Sequence, residues 1–340
     1  MSLFRKLFPA KKEKPILSYQ DFWEWFVQNE KTFRKAMAIN QLVQENFLQV
    51  VSEKACQWRE GMFMAAGLTA NGEVELTFSA EGRVANIPFA NEFVATAPAL
   101  QGWRFTALQP AQGAADISIS IEGFRFHKDN ISFCPVIHPH MPDEIEIVVV
   151  HADYTAENRD TIANGTYIFL DNCIGELRLA TQVDSVSIAG AADAPGEVIP
   201  IEKLSDYLDW RQAEFVEKYQ TIQYDKTGDT YTMLEGETPE GMPAVALVNE
   251  RLLRWDAKPS HPWIMAIHLE YKPQEQGMPD EETLQLLTRI EEEIERYLPD
   301  WDGYLNVARQ TFDGCRTIHF ACRHFNKPAL VLYDVASRYK

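Results

Sequence analysis

The sequence predicts an α+β protein of two units, with antiparallel sheets covered by helices on one face. Three observations carry that expectation. Asn71-Gly72 and Asp313-Gly314 are tight-turn signals, each set between runs that alternate apolar and polar residues with the period of a half-buried strand. Two stretches, "SYQDFWEWFVQNEKTFRKAM" and "PDEETLQLLTRIEEEIERYL", carry apolar residues at helical spacing. Strand-like runs also follow one another in hairpins instead of alternating strictly with helices, which argues against an all-parallel sheet.

The chain has 340 residues, 46% of them hydrophobic, enough for roughly two cores. Fifty acidic residues against 32 basic ones give a net charge of −18. That balance repels phosphate backbones, so no nucleic-acid partner is expected and a basic protein partner fits better. The opening "MSLFRKLFPAKKEKP" breaks its apolar residues with lysine and arginine and lacks the continuous core of a signal peptide. Residues 1–17 therefore read as a solvated basic tail, with brief contact to an anionic membrane surface as the rival reading. No run is long enough for a membrane span. Cys56, Cys134, Cys173, Cys315 and Cys322 are odd in number and scattered, the pattern of reduced thiols in a cytoplasmic protein.

In order along the chain, the first helix starts behind Ser18 or Asp21, with Phe22, Trp25, Phe26 and Phe33 as its core face. A second helix runs through about Trp58. The first hairpin turns on Asn71-Gly72, with Phe63, Ala65, Val74, Leu76 and Phe78 facing the core. Strands follow at "WRFTAL", "DISISIEGFRF", "ISFCPVI" and "EIEIVVVHADY", then a helix from about Thr155 to Leu170, then the strands "LRLATQV" and "SVSIA". The loop "GAADAPGE" leads into the helix "IEKLSDYLDWRQAEFVEKY", which joins the halves, and "TYTML", "PAVALVNERLL" and "PWIMAIHLEY" are strands. Near the end, the acidic helix and the Asp313-Gly314 hairpin repeat the earlier helix and hairpin. Gly61 and Gly303 each precede the turn glycine by eleven positions, and Leu305, Ile318 and Phe320 fall where Phe63, Leu76 and Phe78 do.

Two places carry chemistry-bearing residues. The stretch "FCPVIHPHMPDEIEIVVVH" holds Cys134, His138, His140 and His151. As a hairpin with "HPHMPD" at its tip it separates them, since at about 3.3 Å per residue His151 lies about 23 Å along its strand from the loop. Only His138 and His140, with Asp143, remain as candidate metal contacts, and no cofactor is expected. In the C-terminal hairpin a two-residue Asp313-Gly314 loop pairs Phe312 with Cys315, Gln310 with Thr317, Ala308 with His319 and Leu305 with Cys322. Cys322 then belongs to the core. Tyr304, Asn306, Gln310, Thr317 and His319, joined by His268 and Glu270 of the preceding strand, form a polar sheet face open to a ligand or partner. Motifs for nucleotide binding, zinc proteases and serine hydrolases are missing, and no catalytic residue can be assigned.

The stretch from Trp255 to about His324 resembles the bacterial domain of unknown function 695 family: a strand ending in Glu270-Tyr271, "GMPDEE" opening an acidic helix, then a hairpin on Asp-Gly. Earlier pieces, among them "FWEWFVQNE", "PDEIEIVVVHADY" and "NGTYIFLDNCIGEL", are similar to longer members of that group. The resemblance carries no assigned reaction. At the level of fold it implies a likeness to the acidic B-type inhibitor of ribonuclease E, and so ferredoxin-like units. The expected organisation is a tail (1–17), an N-terminal α+β domain (18–200), a connecting helix (201–220) and a ferredoxin-like domain (221–340). The expected function is a cytoplasmic binding or regulatory protein acting through protein contacts. The alternatives are an enzyme, such as a hydrolase, with its site on the C-terminal sheet face or between the domains, and a metal-binding protein using His138 and His140.

Overall fold

The computed structural model describes residues 14–39, 43–141, 143–215, 217–219 and 221–339. Most of the basic tail, residues 1–13, and Pro142 of the "HPHMPD" loop lie outside the described residues. The chain forms an α+β structure in two compact units, Met1–Ala111 with Gly175–Leu177, and Gln112–Ile174 with Arg178–Lys340.

In the first unit, helix α1 (Tyr19–Met37) starts where the Ser18 hydroxyl accepts the Asp21 N–H, satisfying one of the donors a helix start leaves unpaired. Its buried face is Phe22, Trp23, Phe26 and Phe33. Trp23, and not Trp25, enters the core because its indole N–H reaches the Phe93 carbonyl at 3.0 Å. A π-helical turn (Gln44–Leu48) runs into α2 (Gln49–Trp58). The sheet is β1 (Phe63–Leu68), β2 (Val74–Ser79) and β3 (Trp103–Ala107) in that order, with α3 (Ile87–Ala95) between β2 and β3. β2 and β3 are parallel, a correction to the all-antiparallel expectation. Glu176 is buried in this unit and its carboxylate accepts the N–H groups of Ala80 at 2.8 Å and Gln109 at 3.0 Å.

The first hairpin differs from its sequence reading by one residue. Thr69 and Glu73 close a three-residue loop in which Gly72 takes φ +78°, so Phe63 pairs with Ser79 and Met64 with Phe78. One residue of slip turns a strand over. Phe63 and Ala65 are therefore exposed, while Val74, Leu76 and Phe78 stay in the core as expected.

The second unit holds two further layers. Ribbon β4 (Ser118–Ile121) and β5 (Phe124–His127) replaces the single strand expected at "DISISIEGFRF", because Glu122 and Gly123 both take positive φ and make a tight turn. Next come β6 (Ile131–Val136) and β7 (Glu146–His151), paired as the predicted hairpin. Helices α4 (Arg159–Ile174) and α5 (Glu176–Gln182) follow, so "LRLATQ" is helical where a strand was expected. β8 (Ser185–Ala189) adds parallel to β7 and β9 (Ile199–Pro200) antiparallel to β6. Helix α6 (Leu204–Phe215), read from sequence as the connector, buries Leu204 and Leu208 in this sheet's core beside Phe126, Phe133 and Phe169.

Gly165 of α4 lies so close to the buried Phe126 ring that an added Cβ would stand 2.0 Å from its Cζ. A ring with no exposed surface has nowhere to retreat. Gly165→Ala should therefore destabilise the protein by about 1–3 kcal/mol or more despite alanine's better helix propensity, measured by urea unfolding; a stabilised variant would contradict this packing.

The C-terminal part of the second unit is a five-stranded antiparallel sheet ordered β10-β11-β13-β14-β12, built from β10 (Tyr231–Glu237), β11 (Pro243–Asn249), β12 (Trp263–Glu270), β13 (Tyr304–Phe312) and β14 (Cys315–Cys322). The short α7 (Glu250–Leu253) leaves β11; α8 (Glu281–Tyr297), capped by Asp280, lies between β12 and β13; α9 (Asn326–Arg338) follows β14. Ile290, Ile294 and Leu298 of the α8 segment and Val331 and Val335 of α9 cover one sheet face, packing on Met265, Ile267, Ile318 and Phe320.

The two hairpins resolve the repeat seen in the sequence. Counted from the turn glycine, the pair Phe63–Ser79 is equivalent to Leu305–Ala321, and both pairs form. Each hairpin takes in one extra residue, the first inside its loop and the second at a bulge between Asn306 and Ala308. Both are also preceded by a helix and followed by one.

Candidate functional site

The register near Asp313-Gly314 is as expected: Phe312 pairs with Cys315, Gln310 with Thr317, Ala308 with His319. Beyond the bulge at Val307, Tyr304 pairs with Cys322 and Leu305 with Ala321, one step from the expected Leu305–Cys322. That step turns Tyr304 and Asn306 to the helix-covered side. Tyr304 is 4% exposed in the core with Ile294 and Cys322, and Asn306 donates to Glu295 Oε1 at 2.8 Å and Glu291 Oε1 at 3.2 Å.

His268, Glu270, Gln310, Thr317 and His319 do share the opposite face, the one away from the core under α8 and α9. His268 and Glu270 are exposed, His319 and Gln310 half-buried, and Thr317 buried, its hydroxyl 3.1 Å from His268 Nδ1. Asn306 lies on the other side of the sheet from both histidines, so the three do not converge. The register also puts residues on this face that the sequence reading left out. Ile264, Ala266, Val248, Ala246 and Leu234 also lie on it, with Ile264 66% and Leu234 54% exposed, so apolar residues alternate with the polar ones across this face. Cys322 is a core thiol, pushed up to about 12 by burial.

On the helix side, where β11 and β13 diverge, Tyr304 and Asn306 line a cavity of about 290 Å³. Its other walls come from Tyr224, Lys226 and Asp229 before β10, Tyr231, the buried Asn249, and Glu295, Asp300 and Trp301 at the end of α8. The Tyr224 hydroxyl donates to Asp229 Oδ1 and Asn249 Nδ2 to Asp229 Oδ2 at 2.8 Å, which fixes that carboxylate. Lys226 Nζ sits 2.9 Å from Asp300 Oδ2. Burial and then nearby carboxylates raise all three tyrosines: Tyr304 is pushed up to about 12 beside Asp302, and Tyr224 and Tyr231 rise beside Asp229. Sequence reasoning missed this cavity because its residues come from three distant segments. The one available signal was the aromatic and acidic density of "YLPDWDGYLN".

The histidine-rich stretch falls apart as its hairpin requires. Cys134 is buried opposite Val148, and His138 Nε2 is 2.8 Å from Glu146 Oε2. At the far strand end His151 is buried, its Nε2–H donating to the Arg125 carbonyl at 3.0 Å and its Nδ1 accepting the Asp153 N–H at 3.1 Å. Among the described residues no three His, Cys, Asp or Glu side chains converge as a metal site requires. No described helix is long and apolar enough to cross a membrane.

Residues 237–338 match the model of the family of unknown function DUF695. The match takes in β11 through α9, and with them nearly all of the open face, while the cavity wall from Tyr224 to Tyr231 precedes it. No curated protein and no solved structure matches the chain.

Proposed function

We propose that the chain is a non-catalytic binding or regulatory protein that holds a partner protein against the open face of its C-terminal sheet. The exposed apolar residues of that face, Ile264, Ala266 and Leu234, carry this reading, because exposed apolar surface set among polar groups marks an interaction site. The net charge of −18 favours a basic partner, and five free cysteines suit a cytoplasmic setting. The run β12-α8-β13-β14-α9, with β14 between β12 and β13, supports a ferredoxin-like outline for this part. With the acidity, it also supports the distant likeness to the inhibitor of ribonuclease E, as an analogy of fold.

The test is affinity capture from native extract with wild type and with Ile264→Asp, a change at an exposed position. Wild type should recover the same defined partner repeatedly, and the variant should recover at least about tenfold less, the cost of burying one unpaired charge in a contact, with an unchanged melting temperature. Repeated recovery of nothing, or equal recovery by both, would sink the reading.

A further inference from the structure

We propose that the cavity beneath β13 binds an alkylammonium group, either the head of a free amine or a lysine side chain presented by another molecule. The inference stands apart from the open sheet face, which lies on the other side of the sheet. Four aromatic side chains, Tyr224, Tyr231, Tyr304 and Trp301, and three carboxylates, Asp229, Glu295 and Asp300, line it against, among the described residues, the single cation Lys226. Ring faces attract a cation within about 6 Å, and carboxylates at the same place add charge complementarity and repel anions.

Cationic side chains already pair with the groups that line it. Lys226 rests on Asp300 at 2.9 Å at its edge. Lys327 and Arg251, which are not part of the lining, stand 5.3 Å over the Tyr304 ring and 5.6 Å over the Tyr224 ring. Asp229 is fixed by Tyr224 and Asn249, so its negative charge is preorganised and does not depend on a ligand to order it. Tyr231 is 54% and Trp301 79% exposed, so these two lining residues reach solvent. A volume of about 290 Å³ is at the small end for ligand cavities, suited to one head group with a short chain. Neutral ligands gain little there, because the polar lining would lose its water without gaining charge pairing.

Isothermal titration of the full chain with n-butylamine, n-butanol and butyrate tests this. Saturable binding is expected for the amine alone, weakened at least about tenfold by Tyr231→Ala and by Glu295→Gln. Both positions are exposed, so the fold should survive, as an unchanged melting temperature would verify. Lys226→Met, which removes the resident competitor, should tighten binding. A capped lysine-containing peptide distinguishes the sources: tighter binding than butylamine identifies a presented side chain, and exclusion of the peptide identifies a free amine. No saturable amine binding, equal binding of butanol, or indifference to both substitutions overturns the proposal. Ile264→Asp should leave amine binding unchanged, so the cavity and the sheet face are read separately.

Discussion

Glu291→Leu should cost about 3–5 kcal/mol of folding stability, the range for breaking a buried ion pair by removing one partner. Glu291 is 5% exposed on the inner side of α8, where three sheet residues converge on it: Asn306 at 3.2 Å, Arg309 at 3.0 Å and Arg316 at 3.8 Å. Arg316 decides the size of the effect. It is 4% exposed, its Nε donates to the Thr311 hydroxyl at 3.1 Å, and its Nη1 makes no hydrogen bond among the described residues. Burial lowers its pKa, and Glu291 is the main group opposing that. Without the carboxylate a guanidinium is left in the core with half-exposed Arg309, a like charge, nearby. The double variant Glu291→Leu/Arg316→Met should recover most of the loss, since a well-packed apolar pair can replace a buried ion pair at little cost. Urea unfolding of the two single variants and the double gives the coupling directly. A Glu291→Leu loss below about 1 kcal/mol would show that Arg316 reaches water when unpaired.

The same network shows what was legible beforehand. The turn chemistry of Asp313-Gly314 specified every pair from Phe312 to Ala308, because a two-residue loop leaves no freedom in register. The bulge at Val307 left no mark on the alternation, since Tyr304, Leu305, Asn306 and Val307 read equally well either way up. Tyr304 and Asn306 therefore changed sides. Phe63 failed similarly: Asn-Gly suits a two-residue loop, and Thr69 bonding to Glu73 won a longer one. "LRLATQ" is β-branched only at Thr181, and its strand reading gave too little weight to Leu, Arg, Ala and Gln as helix formers. α3 opens with proline, which reads as a helix breaker in a sequence but is tolerated in the first turn. Parallel pairing of β2 with β3 and of β7 with β8 has no local signature at all, because helices and loops between the strands set it.

Acid should weaken the fold well above the carboxylate range, and His261 should account for about 2 kcal/mol of the loss between pH 7.5 and pH 5. The ring is 6% exposed beside Trp255. The Ser260 hydroxyl donates to the Ala257 carbonyl at 2.6 Å, so Nδ1 of His261, 2.8 Å from that hydroxyl oxygen, carries the proton of a neutral ring. Burial first, then Arg323 and His324, bring its pKa down to about 4. The unfolded chain, with a histidine near 6.5, takes up the proton that the folded chain refuses. The contribution is thus present in full above about pH 6.5 and falls away as pH drops from there toward 4. His151 adds to the same slope, because burial lowers it too and its ring already spends both nitrogens on Arg125 and Asp153. His261→Asn keeps a donor for Ser260 and removes the titration, so its stability should fall less steeply than wild type over that window in urea unfolding at matched ionic strength. Parallel slopes for the two proteins would mean that His261 is protonated in the fold, and that the pocket between Ser260 and Trp255 admits water.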